Sequence, residues 1–107
     1  MEISKSDWKL FRNKVGEWQR WYLKRLCEEY IIILSSDADP SDKFWELEKR
    51  IRDDKRNKGV LLSVEKSNVI FDVLDFLEEE IISFDDLAPF SSDFKNTVQK
   101  MQNMRVC

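Results

Sequence analysis

Four oxygen-bearing residues, Asp37, Asp39, Ser41 and Glu48, stand at the first, third, fifth and twelfth places of one twelve-residue window. An EF-hand loop offers calcium, a hard cation that prefers oxygen, its ligands at those places. Phe44 falls at the eighth place, where such loops carry an apolar residue. Two residues break the pattern. Asp42 occupies the sixth place, where a calcium loop uses glycine for its sharp turn. Pro40, at the fourth, fixes its own φ and lacks an N–H. The same residues also spell a helix start. Asp39 serves as N-cap, Pro40 sits in the first turn where a missing N–H costs nothing, and Asp42 places a carboxylate where the helix dipole favours it. The cap accounts for every residue, whereas the calcium loop leaves Pro40 and Asp42 unexplained and lacks a second loop to pair with. The two differ in geometry: a calcium loop delays the following helix to about residue 46, and the cap starts it at 40.

A second chemistry is ionic. The net charge of −3 conceals an asymmetry along the chain. Between Lys49 and Lys58 there are six basic residues and two acids, and Lys49, Arg52 and Arg56 share one helix face that could meet phosphates. From Ser67 to Phe94 there are eight acids, Glu78 and Glu79 among them, and no basic residue. Two partner chemistries follow. The basic face could associate with nucleic acid, or it could pair with the acidic third helix, within one chain or across a dimer. Trp21 lies off the main apolar stripe of its helix, and an exposed Trp there would anchor a protein partner or a second copy.

Much chemistry is missing. There is no histidine, which removes His-based triads, His metal sites and the commonest general base. There is no C-x-x-C pair, and two glycines cannot build a phosphate-cradling loop. The 21 acids leave carboxylate-pair catalysis open in principle, yet nothing nominates a pair. The chain is expected not to be an enzyme and to need no cofactor.

The elements that must position these residues are helical. Ser4 begins a helix, with Asp7 at capping-box spacing, and Trp8, Phe11, Val15, Trp18 and Tyr22 recur at steps of three and four. From Tyr22 the stripe widens to include Leu23, Leu26, Cys27, Tyr30, Ile31, Ile33 and Leu34, so the second half of this helix is expected to be the most buried part of the protein. Gly16 suggests a break or kink, with helices at 5–14 and 16–35. A second helix is predicted over 40–56, with Phe44, Leu47 and Ile51 in step and Gly59 as its stop. The run around Val60–Val64 has no partner strand and is expected as an ordered apolar loop near 59–66. Ser67 or Asn68 should cap a third helix through Ile82. Its predicted stripe is Ile70, Val73, Leu74, Leu77 and Ile81, with Phe76 at the margin and Asp72, Asp75, Glu78 and Glu79 outward. Ser83 and Asp86 have capping-box spacing for a short turn. Ser91 or Ser92 should cap a last helix carrying Phe94, Val98 and Met101, with a frayed tail at 105–107.

The 107 residues, 42% apolar and 36% charged, suffice for one domain, 1–107. Two glycines and two prolines are too few for the turns of an all-β fold. The expected fold is all-α, a small bundle of four to five helices with short connections. The longest apolar run, Tyr30–Leu34, cannot span a bilayer, and the opening stretch has no signal-peptide core, so a soluble cytoplasmic protein without membrane contact is expected. Cys27 and Cys107 are expected as reduced thiols, Cys27 buried.

Several stretches together, "SKSDWKLFR", "SDKFWELEKRI", the Lys/Arg-rich segment running into "GV", and "IISFDDLAPFSSDFKNTV", resemble a family of short bacterial proteins without an assigned activity. Members sometimes carry the label "multidrug transporter", which implies membrane spans that no stretch here supplies. The resemblance implies no activity and no site residues. The expected function is therefore protein–protein contact, as an adaptor, inhibitor or self-associating module. Nucleic-acid association through the 40–56 helix is the alternative, and a single degenerate calcium loop at 37–48 a further one.

Overall fold

A computed structural model describes residues 2–106. Its backbone is α1 (Lys5–Ser35), α2 (Pro40–Asp54), α3 (Val69–Glu78) and α4 (Ser92–Val106), with single 3-10 turns at Lys66–Asn68 and Phe84–Leu87. The fold is all-α, a small helical bundle, and there is no strand among the described residues.

α1 starts where the Ser4 hydroxyl accepts the Asp7 N–H at 3.1 Å. It then runs unbroken for 31 residues. The division expected at Gly16 does not occur. A lone glycine costs only about 1 kcal/mol against Ala, and the burial of Val15 and Trp18 beside it outweighs that. A helix of this length spans roughly 46 Å and sets the 52 Å long axis of the molecule.

The core gathers around Trp18. Its ring meets Phe11 at 6.1 Å and Phe76 at 6.0 Å edge-on, and Phe90 at 6.3 Å, while Phe90 stacks on Phe94 at 4.5 Å. Edge-to-face contacts at this spacing suit the ring quadrupoles. Val69, Ile70, Val73 and Leu74 of α3, Leu87 of the turn and Val98 of α4 close the cluster. Phe76, expected at the margin, is thus central.

Chain ends and connections are pinned by specific bonds. Asp7 does not complete a capping box. It is buried, and its carboxylate accepts the Ser91 N–H at 3.0 Å and the Ser91 hydroxyl at 2.6 Å. That hydroxyl in turn accepts the Phe94 N–H and caps α4. Ser83 and Asp86 do form the predicted capping box.

α3 ends four residues earlier than its apolar pattern suggests. Glu80 takes a left-handed conformation, φ 57°, with Ile81 N–H to Phe76 O at 2.9 Å and Glu80 N–H to Leu77 O at 3.1 Å. That pairing is a Schellman stop, with Ile81 and Phe76 as its apolar contact. Arg25 of α1 donates to the carbonyls of Glu80 and Glu79, a cation placed at the negative end of the helix.

The loop after α2 packs as expected, with Val60 and Leu62 against the core and Leu61 and Val64 outward. Gly59 is not a helix stop, since α2 ends at Asp54. A Cβ there would lie 2.5 Å from Tyr22 Cδ2 and 2.7 Å from Ile81 Cδ1, so only glycine admits this approach.

Other expectations are corrected. The second half of α1 is not the most buried part of the protein: past Leu26 only Ile33 is buried, and α2 is the helix that packs along that end. Cys27 is exposed, Asp72 is buried, and Arg105 is held in an ion pair rather than frayed. Cys107 lies outside the described residues. The radius of gyration, 16.6 Å, exceeds the roughly 13 Å of a compact chain this long, because the α1–α2 hairpin projects as an arm.

The two glycines should therefore respond oppositely to alanine. Gly16→Ala, whose new methyl would meet nothing within 4 Å beyond its own stretch of helix, should stabilise by about 0.5–1 kcal/mol. Gly59→Ala should destabilise by about 1–3 kcal/mol. Urea unfolding of both variants checks the pair.

Candidate functional site

Beyond Leu26, only Ile33 of α1 is buried, and it stands apart from the main core. α2 turns back along this end and has no buried residue. The only α2 residues that are not exposed are Lys43, Leu47, Arg50 and Asp54, at steps of four, three and four. They form one stripe, mostly polar, and it faces α1. Arg50 donates to Glu29 at 3.0 Å, and its guanidinium lies 5.8 Å over the Tyr30 ring. The Tyr30 hydroxyl donates to Asp54, and Lys43 donates to the Leu34 carbonyl at 3.1 Å. Burial, together with the Asp54 carboxylate it serves, pushes the Tyr30 hydroxyl well above its usual pKa, so it remains a donor.

With its polar stripe turned inward, α2 carries its apolar stripe outward. Phe44 and Trp45 are each 62% exposed and meet edge-on at 5.0 Å, and Ile51 is exposed about two turns further along. A shallow groove of about 370 Å³ runs between Phe44, Leu47, Glu48, Ile51, Arg52 and Lys55. At the same end of α1, Ile31, Ile32 and Leu34 also face solvent. So much apolar surface in one region of a small chain is the ordinary mark of a contact surface.

The sequence-predicted residues scatter. Trp21 is exposed on α1, closer to the body than the arm's tip. Lys49 and Arg52 are exposed on α2 in step with Trp45, while Arg56 falls in the turn beyond the helix and does not extend their face. Arg56, Glu78 and Glu79 instead line one cleft of about 210 Å³ with Lys58 and Asp75. Glu78 is occupied by Arg105 at 2.9 Å.

The calcium geometry is not the one adopted. α2 begins at Pro40, Asp39 accepts the Ser41 N–H at 2.9 Å as its cap, and Glu48 pairs with Arg52 at 3.4 Å. No group of acids or thiols among the described residues is placed to hold a metal ion. Of the three residues in step on α2, Phe44 and Ile51 face out, while Leu47 is partly covered. The stripe that meets α1 carries Lys43, Arg50 and Asp54 beside Leu47, and these polar members match Leu34, Glu29 and Tyr30 in charge and hydrogen bonding.

One titratable cluster lies elsewhere. Lys58 reaches Asp72 at 2.9 Å and also Asp75, and Arg105 bridges Asp75 and Glu78 at 2.9 Å each. Asp72 is 1% exposed, and its Oδ2 has no hydrogen-bond partner among the described residues. Burial pushes the Asp72 carboxyl up despite Lys58. For Asp75 burial acts the same way, but Lys58 and Arg105 outweigh it and hold the carboxyl low. A raised carboxyl can mark acid–base chemistry. Asp72, however, does not line the cleft beside it, so this chain of ions ties the loop after α2 to α3 and α4.

No family model, curated protein or solved structure matches the chain. No helix among the described residues is long and apolar enough to cross a membrane.

The carboxyl shifts fix an acid response. Asp7 and Asp75 have lowered values, so the stability they contribute is present above the usual 3.8 and lost as pH falls through their folded values. Asp72 is raised, so the folded state takes up its proton first and acid relieves a penalty there. Asp72→Asn removes that relief. Melting temperature should fall more steeply in the variant than in the wild type as pH is lowered into the carboxylate range, a comparison that thermal scans make directly.

Proposed function

We propose that this chain is a non-enzymatic helical protein that acts by protein–protein contact, with the outer face of α2 as its contact surface. The observation that carries this reading is the docking of an amphipathic helix by its polar side. Phe44 and Trp45 are large aromatics of the kind that dominate binding energy at interface centres, and Ile51 extends the face by two turns. An apolar helical face read at steps of three and four is a common protein-recognition mode.

A second reading rests on Trp45, Lys49 and Arg52, which share one exposed face in the pattern of an aromatic platform beside two cations. Against nucleic acid stand Asp42, Glu46, Glu48 and Asp53 on the same helix and the pairing of Arg52 with Glu48.

Affinity capture from the native cell separates the two. The full chain should retain a partner that Phe44→Glu and Ile51→Glu both lose, while circular dichroism shows the variants folded. Labelled single-stranded DNA and RNA should show no salt-dependent binding. Retention unaffected by both substitutions, or binding that weakens steeply with salt, would overturn the proposal.

A further inference from the structure

The arm's charges suggest which partner fits it. Lys43, Arg50, Asp54 and Lys58 are engaged within the chain. The exposed charges that remain are five acids from Asp37 to Glu48, and four basic residues with one acid from Lys49 to Arg56. The segment is therefore negative at the start of α2 and positive at its end. A parallel copy would oppose like charge along its whole length. An antiparallel copy would set each acidic end against a basic one, and this is the self-complementarity that a two-fold interface requires.

We infer that the outer face of α2 binds a second copy of this chain, antiparallel across a two-fold axis near Leu47 and Glu48. The inference rests on the contact reading above and names its occupant. About that axis Phe44 of one copy lies opposite Ile51 of the other, so the large aromatic meets the smaller aliphatic at both ends of the groove. Lys55 lies opposite the turn that begins the other copy's α2, where Asp37 and Asp39 are exposed. The Arg50 and Lys43 side chains take no part, since both are turned to α1.

Area sets the strength. A 15-residue helix is roughly 22 Å long and about 10 Å across, so its face covers only a few hundred Å². Stable interfaces bury about 800 Å² per partner. The dimer is thus a reversible one, formed by chains that already have their own core.

The test is sedimentation equilibrium of the full chain from about 1 to 300 μM, with reductant present because Cys27 is exposed. The expected result is a monomer–dimer equilibrium that Ile51→Glu abolishes. Asp37→Lys and Lys55→Glu should each weaken it roughly fivefold, and both together in one chain should restore it. Restoration is specific to the antiparallel arrangement, since parallel copies of the double variant still oppose like charges. A dimer indifferent to Ile51→Glu would overturn the inference, as would failure of the double variant to recover. A monomer throughout also overturns it. In that case, capture that Ile51→Glu still abolishes leaves the contact reading standing with a different protein, and capture of nothing removes both.

Discussion

Two polar links, Tyr30 to Asp54 and Glu29 to Arg50, hold the polar side of α2 against α1. Their effect opposes what burial alone would choose. Turning α2 so that Phe44 and Ile51 faced inward would gain about 1.5–3 kcal/mol for each side chain fully buried. A hydrogen bond contributes about 1 kcal/mol net. The helix is not free to turn, however, because both its ends are fixed. At its start, the four-residue turn and the Asp39 cap set the direction of entry. Beyond its end, the chain must reach Gly59, which is wedged under Tyr22 and Ile81. Between those anchors the polar stripe is the side that meets α1. The apolar stripe is left for something else to cover, and on the proposed reading a second copy covers it.

The molecule is consequently uneven. Its body is held by the Trp18 aromatic cluster, by the Asp7–Ser91 clasp that joins the first helix to the last, and by the ions from Lys58 to Arg105. Its arm has one buried side chain on α1, none on α2, and a handful of partly exposed polar bonds. With no buried residue and most of its residues exposed, α2 lies at the low end of local stability. A contact that covers α2 would therefore also order it, and binding and local folding would be coupled.

The sequence made the elements legible and misplaced several faces. Ser4, Asp39–Pro40, Ser83 with Asp86, and Ser91 each announced a boundary correctly, because a cap is a local interaction between residues a few positions apart. The errors are non-local. Gly59 reads as a helix stop until Tyr22 and Ile81 are seen against it, far away in the chain. Asp72 reads as a surface acid because its partner Lys58 belongs to a different element. α3 carries an apolar pattern to Ile82, but Glu80 turns left-handed and sends Ile81 and Ile82 into the core by another route. The exposed face of α2 has the same non-local origin. An apolar stripe says that a surface is to be covered and does not say by what.

Hydrogen exchange on the full chain, followed at low and at high protein concentration, tests most directly whether α2 is weakly held in the single chain and covered by contact. Amides in the interior of α2 should exchange fast when dilute and slow by roughly tenfold when concentrated, while α3 exchanges slowly and equally in both. Protection of α2 that matches α3 at every concentration would contradict it.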